Sequence, residues 1–241
     1  MLAWEQAQVD AAVVNAFGFH ALQLGLPQLH ALQANRIAHR WLASESVVKT
    51  EPNVALVTDF SALPFPANSL DLVVLPHTLE MAANPHGVLR EVARVLVPEG
   101  RLVITGLNPV SLWGMRQRRA HLYRRFGVER MFLPDSGEFI GYLRLRDWLG
   151  LLNLDIASEQ FGCYRPAFLS QTLLQKFSWM DAAGERWWPI LGSVYMFIAI
   201  KRVRGMTLHT PLWKPAVRLA VAAASIAKNA SQSRAKGQND S

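Results

Sequence analysis

One cysteine, Cys163, stands among 241 residues, so no internal disulfide can cross-link the chain and its stability must rest on a hydrophobic core. Hydrophobic side chains make up 51% of the sequence, enough for such a core. Long apolar runs are also lacking. The longest, Pro189 to Ile200, has 12 residues, short of the roughly 20 that cross a bilayer as a helix. The start, MLAWEQAQVD, has neither the basic opening nor the apolar run of a secretory signal. The chain therefore reads as soluble and cytoplasmic. Acid is scarce relative to base: 18 Asp and Glu against 25 Lys and Arg, a net charge of +7, favour an anionic partner such as nucleic acid, a phospholipid surface or an acidic metabolite. The seven histidines form no HxxxH pair and no Cys/His cluster, so no metal is expected. Cys163 reads as a small core residue.

What is present alternates in period. Trp4 to Ala16 has helical spacing, and Phe17 to Gly25 alternates and stops at a glycine, as a strand does. Leu29 to Leu42 again has helical spacing, with a short strand expected around Ser46 to Lys49. Asn53 to Asp59 reads as a buried strand ending in an acid, and Leu63 to Ser69 as a Pro-rich loop. Leu70 to Leu75 is the strongest strand. Asn84 to Val97 is a helix stopped by Pro98-Glu99-Gly100, with another buried strand over Arg101 to Gly106. Near-continuous apolar strands separated by helices imply a mostly parallel, Rossmann-like α/β sheet covered on both faces.

Further along, Arg116 to Arg130 holds six arginines (116, 118, 119, 124, 125 and 130) against Glu129 alone. Leu145 to Leu152 reads as a short helix, and Asp155 to Tyr164 and Ser193 to Arg202 as strands that complete the sheet with an antiparallel edge near the C-terminus. The expected organisation is an α/β domain over 1–205, interrupted by a basic insertion at 110–144 and followed by a basic tail at 206–241 with little to bury.

The stretch Asp59-Phe60-Ser61-Ala62-Leu63-Pro64-Phe65-Pro66-Ala67-Asn68-Ser69-Leu70-Asp71-Leu72-Val73-Val74 resembles the middle of class I S-adenosylmethionine methyltransferases of the type 11 group. Leu89 to Ile104 is similar to that family's helix, tight turn and fifth strand. The resemblance implies a methyltransferase with S-adenosyl-L-methionine as cofactor. By it, Asp59 would accept from the adenine amino group, and Gln23, Gly25, Phe60, Pro76 and His77 would line the cofactor cleft. Where the family has an acid followed by GxGxG, this chain reads Gln23-Leu24-Gly25-Leu26-Pro27-Gln28-Leu29. Pro27 removes a backbone donor and Leu29 adds bulk. The acid for the ribose hydroxyls is either Glu45 or Glu51.

His77, just past the fourth strand, could act as a base on the methyl acceptor or simply pack and hydrogen-bond. Asn108 and Pro109, after the fifth strand, would shape the acceptor side. Arg116, Arg118, Arg119, Arg124 and Arg125, interleaved with Trp113, Tyr123 and Phe126, form either a solvated helix face or a contact for nucleic acid or an anionic membrane. Two further readings stay open: a non-catalytic binding or regulatory relative of the fold, and a scaffold whose basic segment carries the function.

Overall fold

In chain order, the computed structural model contains α1 (Leu2–Val13), β1 (His20–Leu24), β2 (His39–Ser44), β3 (Leu56–Val57), β4 (Leu70–Pro76), α2 (Thr78–Met81), α3 (Pro85–Val95) and β5 (Leu96–Leu107). There follow α4 (Tyr142–Leu151), β6 (Leu154–Gly162), α5 (Trp179–Trp187), a short 3-10 turn (Pro189–Leu191) and β7 (Val194–Lys201). The residues described are 1–46, 54–115, 139–165 and 179–202. The arginine-rich stretch 116–130, Glu51, most of the strand expected at 46–49 and the tail from 206 lie outside them.

The strands form one sheet in the order β3-β2-β1-β4-β5-β7-β6. β1 to β5 run parallel, while β7 is antiparallel to both of its neighbours. The antiparallel strand expected near the C-terminus is thus present, one place in from the edge that β6 occupies. β4 is buried along almost its whole length because both of its faces are covered. Leu22, Leu24, Val73, Leu75, Leu102 and Ile104 meet α3 and α4 on one face. Ala21, Leu72, Val74, Val103 and Met196 meet α1 on the other.

The helix α3 starts where its sequence supplies a start. Asn84 caps it by accepting the Gly87 N–H at 2.9 Å, and Pro85 takes the first turn, where no N–H is needed. Val88, Leu89, Val92 and Val95 form its buried stripe. It ends two residues before the expected Val97, because Leu96 already pairs with Leu70 as strand. A register shift between Leu70 and Leu72 absorbs the Glu99-Gly100 turn.

The helix expected over Leu29 to Leu42 is absent. Residues 25–38 are turns and bends, and β2 occupies His39–Ser44, ahead of the strand expected near 46. Leu29, Leu32 and Ile37 are buried as their spacing implies, on the α1 face of the sheet. Burial alone does not make a helix when side chains satisfy the backbone instead. The Asn35 amide donates to the carbonyls of Val13 and Ala16 and accepts the Ile37 N–H at 2.8 Å, holding these turns against the end of α1.

Leu89 is fully buried in α3, and its truncation to Ala leaves a cavity, so Leu89→Ala is expected to cost about 2–5 kcal/mol in urea unfolding. The exposed Leu151→Ala should change stability by less than about 0.5 kcal/mol.

Candidate functional site

The direction of chain connection reverses between β1 and β4, so the cleft of an open α/β sheet lies outside their carboxyl ends. Gly25 ends β1 with φ +77°, a left-handed conformation that suits glycine. A Cβ there would stand 3.4 Å from Thr78 Oγ1 and 3.7 Å from the Phe60 ring. Gly25, Thr78 and Phe60 therefore converge, and Thr78 Oγ1 donates to the Leu24 carbonyl. At the neighbouring strand ends, Glu45 follows β2 directly and is exposed. Asp59 stands two residues beyond β3, also exposed, and β2 and β3 pair through Ser44 and Val57. Asp59 Oδ1 accepts the Ser61 hydroxyl and N–H, both at 2.7 Å, and these bonds lower its pKa, the hydroxyl contributing most. Its Oδ2 has no protein donor among the described residues.

Gln23 points elsewhere. Its buried amide donates to the carbonyls of Gly25, Leu26 and Leu29 and accepts the Ala31 N–H, so all of its capacity goes into folding the loop 25–31. The expected cofactor contact for Gln23 is thereby replaced by a role as the pin of that loop. Pro76 ends β4, buried.

His77 is the left-handed residue (φ +52°) that caps α2. Its Nδ1 lies 3.1 Å from Glu80 Oε2 and its Nε2 lies 3.0 Å from Glu5 Oε2 of α1. Glu5 and Glu80 are both buried, and Glu80 Oε1 also accepts the Leu107 N–H at the end of β5. Burial by itself would lower the His77 pKa, but the hydrogen bonds to Glu5 and Glu80 and their charge outweigh it and raise the pKa to about 10. Near neutrality His77 is an imidazolium donating through both nitrogens, with no lone pair free to take a proton. Both ring nitrogens of His77 are thus engaged by carboxyl groups of the fold. Glu5 carried a signal in the sequence: it precedes Val9 and Ala12 by four and seven residues, on the buried stripe of α1.

Asn108 is likewise consumed by structure. Its Nδ2 donates to the carbonyls of Ile190 and Gly192, and its Oδ1 accepts the Val110 N–H at 3.1 Å. It clamps the segment after β5 to the segment before β7 and presents nothing to an acceptor. Pro109, beside it, is buried.

A cavity of about 1190 Å³ opens at the carboxyl end of β6, lined by Trp4, Trp113, Gln160, Phe161, Cys163 and Tyr164 among others. Trp4 packs on Gly162 so closely that a Cβ there would come within 2.2 Å of the indole. Gln160 Oε1 is buried with no hydrogen-bond partner among the described residues. Cys163 is half-buried in the cavity wall, and burial raises its thiol pKa, which makes it a poor nucleophile near neutrality. Trp4 and Glu5 are adjacent, so the same turn of α1 walls the cavity and reaches His77.

His77 has a folded pKa of about 10 against 6.5 for the free side chain. Its contribution to stability is therefore full below pH 6.5 and lost as the pH rises through 10. His77→Gln leaves two buried carboxylates without their cation, an expected cost of about 3–5 kcal/mol below pH 6.5. Chemical denaturation at stepped pH should show the gap between wild type and variant closing from 6.5 to 10.

Residues 31–104 match the family model described as "Methyltransferase domain". The uncharacterised protein YafS of Escherichia coli strain K12 is 29% identical over 225 residues, covering 90% of this chain and 84% of that protein. A methyltransferase structure from Archaeoglobus fulgidus superposes with a TM-score of 0.58 at 16% identity, over 83% of this chain and 95% of the other. A chain of the Haloferax volcanii complex with the Trm112 methyltransferase activator does so with a TM-score of 0.58 at 19% identity, over 83% and 90%. At these identities the structural likeness is one of fold. Residues 31–104 thus match the methyltransferase-domain family model, in a chain whose fold is that of the S-adenosylmethionine-dependent methyltransferase structures.

Proposed function

We propose that this protein is an S-adenosylmethionine-dependent methyltransferase that holds the adenosine part of its cofactor between the carboxyl ends of β1, β2 and β3. The observation that carries this reading is the pair of exposed carboxylates, Glu45 after β2 and Asp59 after β3, on adjacent strand ends beside the switch point. Such a donor set fits a nucleoside: Glu45 suits two ribose hydroxyls, and Asp59 Oδ2 suits an exocyclic amino group. Of the two acids weighed for the ribose, Glu45 stands directly at the end of β2. Phe60 and Gly25 supply an apolar wall and a close backbone approach.

The bound cofactor would supply an activated methyl group on a sulfonium. The chain's own task is to orient that group and an acceptor nucleophile in line, so catalysis rests chiefly on proximity. We place the acceptor in the cavity at the end of β6. His77, locked by two carboxylates, positions α1 between cofactor cleft and cavity. The net charge of +7 favours an anionic partner or acceptor. The low cysteine count suits action in the cytoplasm.

One observation favours a second reading. The loop after β1 is a series of turns pinned by Gln23 and opens no helix whose N-terminus could face the cofactor. A non-catalytic member of the fold would tolerate such a loop. Transfer of label from S-adenosylmethionine to any component of a cell extract, lost in Asp59→Ala with folding intact, would exclude that reading.

Calorimetric titration with S-adenosylmethionine and S-adenosylhomocysteine should show saturable binding. Glu45→Ala and Asp59→Ala should each weaken it by about 10- to 100-fold, the worth of a hydrogen bond to a charged group. Folded protein that binds neither compound, or binds both unchanged after the two substitutions, would overturn the proposal.

A further inference from the structure

Aromatic rings gather on the rim of the sheet where β1 and β2 begin. Phe17 and Phe19, in the link from α1 to β1, are exposed by 78% and 74%, and His39 is exposed beside them. His20 and His39 stand opposite each other on the paired strands, their rings 5.4 Å apart. Trp41 joins them at 5.5 and 6.1 Å, and the three ring planes lie within 23° of one another. Phe65 closes the row, 5.6 Å from Trp41. Exposed aromatic groups gathered in this way mark a surface that meets a partner. The cofactor cleft lies at the opposite, carboxyl ends of these strands and makes no use of them.

The rim is held firmly. Asp71 Oδ2 accepts the Phe19 and His20 N–H groups at 2.8 and 2.9 Å. A Cβ at Gly18 would stand 2.2 Å from Asp71 Cγ, so glycine is what lets the chain pass there. The Phe19 carbonyl accepts the His39 N–H at 3.2 Å. Asn35 ties its own turn to the carbonyls of Val13 and Ala16, and Arg40 Nη1 donates to the Leu32 and Asn35 carbonyls. Segments 14–20 and 35–41 therefore form one surface. Between Asp10 and Glu45 the sequence holds Arg36 and Arg40 and no acid. Both arginines are exposed, and neither pairs with a carboxylate among the described residues.

We infer that this rim binds single-stranded nucleic acid, with bases stacked on its aromatic side chains and phosphates met by Arg36 and Arg40. Unpaired bases present flat apolar faces, and phenyl, imidazole and indole rings stack on them whatever the base. Cations set among the rings then meet the phosphates that join one base to the next. Because the backbone under Phe19, His20 and His39 is already fixed, little ordering is left to oppose binding. An acidic peptide would match the arginines but leave the row of rings without a use. The inference does not rest on cofactor binding.

A fluorescein-labelled oligouridine of ~12 nucleotides should gain anisotropy when titrated with the full chain, with an affinity that falls as salt rises. Phe17→Ala/Phe19→Ala, with an unchanged Tm, should weaken binding by about tenfold or more. Arg36→Gln should weaken it less and flatten the salt dependence. Photo-cross-linking with thiouridine-substituted oligomer should label peptides within residues 14–41. Absence of binding, equal binding by the phenylalanine variant, or label confined to the stretch 116–130 would overturn the inference. Equal affinity for oligoglutamate would overturn it in favour of an acidic protein segment. A dimer that the two phenylalanine substitutions dissolve would overturn it in favour of a second copy of the chain.

Discussion

The half-buried imidazole of His77, held between the buried carboxyl groups of Glu5 and Glu80, joins the parts of this molecule that chemistry would need together. Glu5 comes from α1, His77 from the end of β4 and Glu80 from α2, and Glu80 continues the network to the backbone of Leu107 at the end of β5. Polar side chains shielded from water are tolerable only when hydrogen bonds use their donors and lone pairs. That demand fixes the entry of α1 across the carboxyl ends of the strands. Trp4 then packs on Gly162, and the cavity at the end of β6 acquires its wall.

Much of the polar chemistry at this edge of the sheet serves to hold loops in place. Gln23 folds the loop after β1, Asn108 clamps the segment after β5, and Asp59 Oδ1 closes a turn on Ser61. Of the side chains near the switch point, Glu45 and the remaining oxygen of Asp59 have no hydrogen-bond partner among the described residues. The loop after β1 is a series of turns pinned by the Gln23 side chain, which closes over β1 without a helix.

The central strands and α3 were legible because their signals are local. β4 is apolar apart from Asp71, and α3 has its own cap, proline and stripe. The segment from Leu29 to Leu42 misled because its apolar spacing reports burial, and burial is satisfied equally by turns when Gln23 and Asn35 supply the hydrogen bonds a helix would otherwise make. His77 was legible as a polar residue just past β4, whereas its partners were not. Its two partners lie 72 positions before it and three after it, and only the fold brings both carboxylates to one ring.

The sequence by itself determined the class of fold, the parallel centre of the sheet, the likeness to type 11 methyltransferases and the basic balance of the chain. These follow from periodicity, short motifs and composition, which need no knowledge of distant neighbours. Tertiary structure decided the insertion of β7 between β5 and β6, the meeting of His77 with Glu5 and Glu80, and the position of Glu45 directly after β2. Each depends on groups far apart in the chain meeting in a low-dielectric interior or on one surface, and proximity of that kind is set by packing rather than by local pattern.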